Sequence, residues 1–180
     1  MHDATRRLWA KTFRDSRGEE VPGISVFDHC LNVGWVAQAL AAQLPSRVRA
    51  LLPGPNGQAA AVLVALHDIG KLTLGFQVKC TVWSFPEELA ESVRRQAQSS
   101  VSDHALVSQV FLQDLLRDSG TQLWAVAIGA HHGRPKGRRA RRPEIEAGLY
   151  WAESQRKSVA NALIEVFGPL PDHPPRPDLA

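Results

Sequence analysis

Ala59-Ala60-Ala61-Val62-Leu63-Val64-Ala65-Leu66-His67-Asp68-Ile69-Gly70-Lys71 is the stretch on which the fold turns. Ala59 to Leu66 are apolar without interruption, and a helix that lacks a polar face is buried on most sides. The His67-Asp68 pair that ends the helix is therefore carried into the middle of the molecule. Adjacent imidazole and carboxylate groups can share one divalent cation if the backbone turns between them. Gly70 lets the chain pass close to such a site without a clashing Cβ, and Lys71 is available for a phosphate oxygen or for orienting a ligand. The same residues also suit an ordinary helix end, with a histidine near the C-terminus, a terminating glycine and an exposed aspartate. The positions of the other histidines decide between the two.

Working outward, 180 residues of 44% hydrophobic composition suffice for one domain with its own core. Residues 1–180 are read as a single unit, with an N-terminal lead-in over 1–24 and a proline-rich tail over 168–180. Trp9, Ala10 and Phe13 are expected to pack on the body, and Arg14 to Pro22 reads as a polar, turn-rich segment. Phe27 to Leu44 has helical periodicity, with Leu31, Trp35, Val36, Ala39 and Leu40 on one face, Ser25 as N-cap and Pro45-Ser46 as stop. The buried helix runs from Gln58 to about Asp68. Leu72 to Phe85 reads as loop, and Glu87 to Gln98 as a peripheral polar helix. Ser102 caps a helix from Asp103 to Arg117 that turns Leu106, Val110, Phe111 and Leu115 inward. Thr121 starts another, Leu123 to His131. Pro143-Glu144 opens the last one, which reaches Phe167. No repeat and no strong strand pattern appears, so the expected architecture is an all-α bundle. Trp35 and Trp124 are assigned to the core, and Trp83 is the tryptophan best suited to stack on a base.

The net charge of +3 is modest but unevenly placed. Six of the nine residues from Arg134 to Arg142 are basic: Arg134, Lys136, Arg138, Arg139, Arg141 and Arg142. Without them 15 basic residues remain against 18 acidic ones, so this segment supplies the whole positive excess. A run of this kind is either a solvated surface loop or a contact for phosphates. Cys30 and Cys80 lack zinc-type spacing and read as free thiols. No apolar run is long enough for a bilayer and no charged-then-apolar leader follows Met1, so a cytoplasmic protein with no membrane contact is expected.

Seven histidines are present, and five of them, His29, His67, His104, His131 and His132, fall at the ends of the core helices. One histidine in such a place is more often structural than a ligand. Five of them, with Asp68 on the deep helix, point instead to side chains converging at one rim of the bundle. Imidazole and carboxylate donors suit transition metals such as Mn, Fe, Co, Ni or Zn, and without cysteine ligands a thiolate-type structural zinc is disfavoured.

Phe27-Asp28-His29, Leu66-His67-Asp68-Ile69-Gly70-Lys71, Gly75-Phe76-Gln77, Asp103-His104 and Ala130-His131-His132-Gly133-Arg134-Pro135 resemble the HD superfamily of metal-dependent phosphohydrolases. The spacing of HDIGK to FQ, followed by HHGRP, is more closely similar to the N-terminal HD nuclease domain of the helicase–nuclease of type I CRISPR systems. The Leu8-Trp9-Ala10-Lys11 opening extends the resemblance over nearly the whole chain. It implies an HD-domain helical bundle with a dinuclear centre: His29, His67 and Asp68 for one ion, and Asp68, His104, His131 and His132 for the other, with Asp68 bridging. A late aspartate that completes the first site in the family has no counterpart in its usual Ala-Asp-Trp setting. Asp172 and Asp178 stand in the proline-rich tail and are not expected to replace it, so a chain shortened at its C-terminus or split between two polypeptides is expected, binding two ions, one or none.

The resemblance implies a nuclease that cuts single-stranded DNA in CRISPR interference, with Asp68 and Lys71 catalytic and the Arg134–Arg142 segment on the DNA. Its expected partners are a helicase portion, on the same or a separate chain, and a crRNA-guided surveillance complex that opens the target. Its expected ions are Mn, Fe, Co or Ni. No G-x-x-x-x-G-K-[ST] phosphate loop is present for a motor. Two other classes are carried alongside: a phosphohydrolase of nucleotides or cyclic dinucleotides, and a non-catalytic metal-binding docking module.

Overall fold

The computed structural model describes residues 7–54, 57–84, 87, 90–97, 103–118, 120–134 and 149–175. Among them the helices are α1 (Val26–Gln43), α2 (Ser46–Arg49), α3 (Gln58–Ala65), α4 (Leu74–Gln77), α5 (Glu91–Ala97), α6 (His104–Leu115), α7 (Gln122–Gly129) and α8 (Leu149–Phe167), and a 3-10 turn covers Leu66–Lys71. The only sheet among the described residues is an antiparallel hairpin of β1 (Thr12–Arg14) and β2 (Glu20–Pro22). The all-α bundle expected from the sequence is what the chain adopts; the hairpin sits where a polar turn-rich segment was expected. Its strands are three residues long, too short to leave an alternation that could be read.

The middle of the molecule is α3. Ala59, Ala61, Val62, Leu63 and Ala65 are buried, packed between α1 and α8, and the 3-10 turn that continues it lies against α6. The expected helix to Asp68 thus ends as α-helix at Ala65 and tightens. Leu66, Ile69, Leu72, Phe111, Leu112, Val159 and Leu163 close the core around the turn.

α1 starts where expected: Ser25 Oγ accepts the Asp28 N–H at 3.0 Å. Its inward stripe differs from the expected one. Phe27, Cys30, Gly34 and Ala41 are buried, whereas Trp35, Val36 and Leu40 are 50%, 57% and 62% exposed. Size explains the choice. A Cβ on Gly34 would overlap the Phe167 ring and reach Ala65 Cβ at 3.0 Å, so α1 approaches α8 and α3 through its small residues. Trp35 is therefore not a core residue; it meets Phe167 edge-on from outside, ring centroids 5.0 Å apart. Phe13, expected on the body, is likewise exposed.

α6 is capped by Asp103, whose side chain accepts the Leu106 N–H, and not by Ser102, which lies outside the described residues. Inside the expected loop after Leu72, Thr73 caps the short α4. Trp83, the tryptophan expected to stack on a base, is partly buried and packs against the core at several points. Trp124 is half-buried, its indole N–H donating to the His173 carbonyl. The start of the last helix at Pro143-Glu144 lies outside the described residues.

Gly70 marks the closest approach of the turn to α6. A Cβ there would overlap the His104 carbonyl and lie 2.7 Å from Ser108 N, while Gly70 N–H donates to Ser108 Oγ at 2.9 Å. Gly70→Ala is expected to cost about 3 kcal/mol or more, since backbone has to move to admit the methyl group. Urea unfolding of the variant against the parent chain measures it.

Candidate metal centre

Four elements deliver the histidines to one place. His29 stands one turn into α1, His67 and Asp68 lie on the 3-10 turn, His104 opens α6, and His131 and His132 follow the end of α7. His29, His67, His104 and His131 converge on the Asp68 carboxylate, which is only 5% exposed. Oδ2 faces His29 Nε2 at 2.9 Å and His67 Nε2 at 3.2 Å; Oδ1 faces His104 Nε2 at 3.3 Å and His131 Nε2 at 3.4 Å. His132 completes the rim, its Nε2 2.9 Å from that of His104.

The imidazoles are set by the helix ends they occupy. His67 Nδ1 lies 2.8 Å from the Val64 carbonyl and His131 Nδ1 2.7 Å from that of Ile128, three residues back in each case. A carbonyl accepts only, so each Nδ1 carries the proton and each Nε2 is left as a lone pair when the ring is neutral. That is the tautomer a ligand histidine requires.

Ligand atoms within 4.8 Å of one another form two groups, His29 with His67 and Asp68, and His104 with His131 and His132. Two observations fit these residues to cations. Asp68 Oδ1 and His131 Nε2 are buried, and among the described residues neither has a hydrogen-bond partner. His104 and His132 turn ring nitrogens toward each other, an arrangement that needs a proton or a cation between them. Nitrogen and carboxylate donors of this kind select divalent transition metals.

Burial alone would raise the Asp68 carboxyl, but His104, His131, His29 and His67 outweigh it and hold the group far below the usual carboxylate range. The Asp68 carboxylate pushes the His131 imidazole up. His132 is lowered, first by partial desolvation and then by the neighbouring His131 and His104.

Lys71 differs from its expected role. It is 4% exposed, and its ammonium donates to Asp68 Oδ2 at 2.6 Å instead of facing a substrate phosphate. Arg134, two residues after the histidine pair, is exposed. Lys136, Arg138, Arg139, Arg141 and Arg142 lie outside the described residues, as does Asp178. Asp172 is exposed, bound to His173 at 2.8 Å, and belongs to neither group. Sequence reading missed Gln77 as more than part of a motif. It is fully buried, and its amide bonds reach both Trp9 and the end of the HD turn. A glutamine inside an otherwise apolar segment was the available signal.

Residues 9–179 match the family described as "Cas3, HD domain". The chain is 32% identical over 192 residues to the CRISPR-associated endonuclease/helicase Cas3 of Thermus thermophilus, covering 95% of this chain and 20% of that protein. The crystal structure of T. fusca Cas3 superimposes with a TM-score of 0.64 at 26% identity, over 92% of this chain and 20% of that one. The same protein with ATP gives 0.66 at 24% identity, over 94% and 20%. The chain thus spans about a fifth of the length of the relatives it matches.

A chain that binds Mn2+ through these groups gains about 2.7 kcal/mol when the ion is present at 100 times its dissociation constant. Thermal unfolding should move up by about 5 °C or more, and Asp68→Asn should remove the shift. Since His131 is held above its usual range, protons compete with the ion from above about pH 6.5 downward. Mn2+ affinity measured by calorimetry should therefore fall as the pH is lowered through that region.

Proposed function

The chain belongs to the Cas3 HD-domain family, and from that premise we propose that it is a metal-dependent nuclease acting on single-stranded DNA in CRISPR interference. The observation that carries this reading is the Asp68 carboxylate, each of whose oxygens faces a different pair of imidazoles. His29, His67 and Asp68 would hold one divalent ion and Asp68, His104, His131 and His132 the other, with Mn, Fe, Co or Ni the best-suited ions. When bound, such a pair supplies Lewis-acid polarisation of a phosphodiester and a water nucleophile at neutral pH.

The chain's own residues do the rest. Asp68 fixes the separation of the two positions by belonging to both. His67 and His131 arrive in the right tautomer through the Val64 and Ile128 carbonyls. Lys71 acts behind the site, donating to Asp68 Oδ2 and orienting the carboxylate; it is a positioning residue. The first group has three ligands among the described residues, and an open position is what a catalytic centre needs and a closed structural one lacks. The basic segment from Arg134 follows His132 closely in sequence and would hold DNA phosphates beside the ions. Unpaired DNA is the substrate this reading assigns to the site, and opening a duplex is assigned to other parts. A helicase portion and a crRNA-guided surveillance complex are the partners this proposes.

Circular single-stranded DNA incubated with the chain and a panel of divalent metals should be cut. His67→Ala and Asp68→Ala should reduce cutting to background while the far-UV CD spectrum stays helical. Unchanged cleavage by the pure variants would remove the site assignment, and preferential turnover of cyclic dinucleotides would move the chain to the small-substrate phosphohydrolases. Replacing Lys136, Arg138, Arg139, Arg141 and Arg142 by serine should weaken binding to single strands of any sequence. It should also flatten the slope of log affinity against log salt by about 0.7 for every phosphate that is no longer neutralised.

A further inference from the structure

We infer that Gln77 is a positioning residue for the metal centre, locking the first turn of α1 and the HD turn into one rigid unit through the segment Leu8–Ala10. This rests on the reading of the centre given above and adds a residue to it. Leu8 and Ala10 pair with the start of α1: Val26 N–H donates to the Leu8 carbonyl at 2.7 Å and Ala10 N–H to that of Ile24 at 2.8 Å. In such an antiparallel pairing the intervening residue, Trp9, points its backbone groups the other way. No strand lies there among the described residues. The Gln77 side-chain amide takes the place of one: Trp9 N–H donates to Oε1 at 3.0 Å, and Nε2 donates to the Trp9 carbonyl at 2.9 Å.

The second Nε2 hydrogen goes to the Lys71 carbonyl, also at 2.9 Å, and the Trp9 indole N–H returns to the Gln77 carbonyl at 3.0 Å. Gln77 is fully buried, so no water substitutes for these bonds. The backbone donor and acceptor on Trp9 also fix which way the amide points. One side of the clamp ends on the Ser25–Val26 start of α1, one turn before His29; the other ends on Lys71, three residues after Asp68 and itself bonded to Oδ2. The clamp therefore spans the two sides of the His29–Asp68 contact. Only a glutamine-like side chain performs this: glutamate has no donor for the Lys71 carbonyl, and methionine of similar length has neither donor nor a good acceptor.

The test is Mn2+ titration of the folded chain by calorimetry, alongside thermal unfolding, for Gln77→Met, Gln77→Glu and Trp9→Phe. Trp35→Ala serves as a comparator that removes packing on the outer face of α1, against Phe167 and away from the clamp. Positioning predicts that both Gln77 variants lose about tenfold or more in Mn2+ affinity, in line with the usual effect of removing an outer support. Trp9→Phe should lose a few-fold, since it removes the indole bond alone, and Trp35→Ala should melt earlier with its affinity intact. If the Gln77 variants do not fold, Trp9→Phe decides. Lowered melting with unchanged affinity in the folded variants makes Gln77 a stability residue only and overturns the proposal. Absence of Mn2+ binding by the unaltered chain overturns both this proposal and the metal-centre reading beneath it.

Discussion

A carboxylate buried at the end of an entirely apolar helix is the constraint to which the rest of the chain answers. Removing an ionised group from water costs several kcal/mol unless donors surround it. Around Asp68 stand four imidazoles and an ammonium drawn from α1, the 3-10 turn, α6 and the end of α7. Lys71 and His29 bond Oδ2, while Oδ1 has no hydrogen bond among the described residues and is left for a cation. Because the donors are short of reach, each of those elements has to begin or end beside the carboxylate. The helix boundaries and the site are one problem with one solution.

The histidines lie at helix ends for a further reason. The last turn of a helix leaves carbonyls without an amide partner. Val64 and Ile128 lie in such last turns; the Ile128 carbonyl takes the His131 N–H at 3.1 Å, and in each case the histidine three residues on also reaches the carbonyl through Nδ1. The same device appears twice, at two unrelated helix ends, and uses helix-end carbonyls to control ring orientation and tautomer. The change from α to 3-10 geometry at Ala65 serves the same end. It stops the helix where the pair must face the carboxylate's neighbours and brings Gly70 against the His104 carbonyl, where no side chain fits.

Much of this was legible in the sequence. The apolar run through Leu66, the Ser25 cap and the five helix-end histidines are local patterns that tertiary packing had no reason to override. The face of α1 was not legible: it carries two apolar stripes, and hydrophobicity alone favours the larger one with Trp35, Val36 and Leu40. The chain buries the smaller one, because a close approach to Phe167 and Ala65 is worth more than the area of a tryptophan. The cap of α6 was ambiguous for a simpler reason, since Ser102 and Asp103 are adjacent and both competent. Lys71 misled because its type suggested a phosphate, whereas its burial is decided by a neighbour three residues back. Gln77 could be noticed in a motif, but its role depends on Trp9, which is 68 residues away.

The two halves of the centre are unequal, and the inequality follows from charge. Oδ2 of Asp68 already carries Lys71 and the His29 and His67 contacts, so a cation on that side meets an oxygen whose charge is largely answered. Oδ1 has its two imidazoles at 3.3 and 3.4 Å and no hydrogen bond among the described residues. It therefore offers the less compensated oxygen, beside three histidines of which His132 is open to solvent. A cation entering from the rim would gain most there, next to a carboxylate that stays ionised despite its burial. The buried ammonium thus does not compete for the outer position. It supports that position from behind, by holding Oδ2 and so fixing the orientation in which Oδ1 faces the rim.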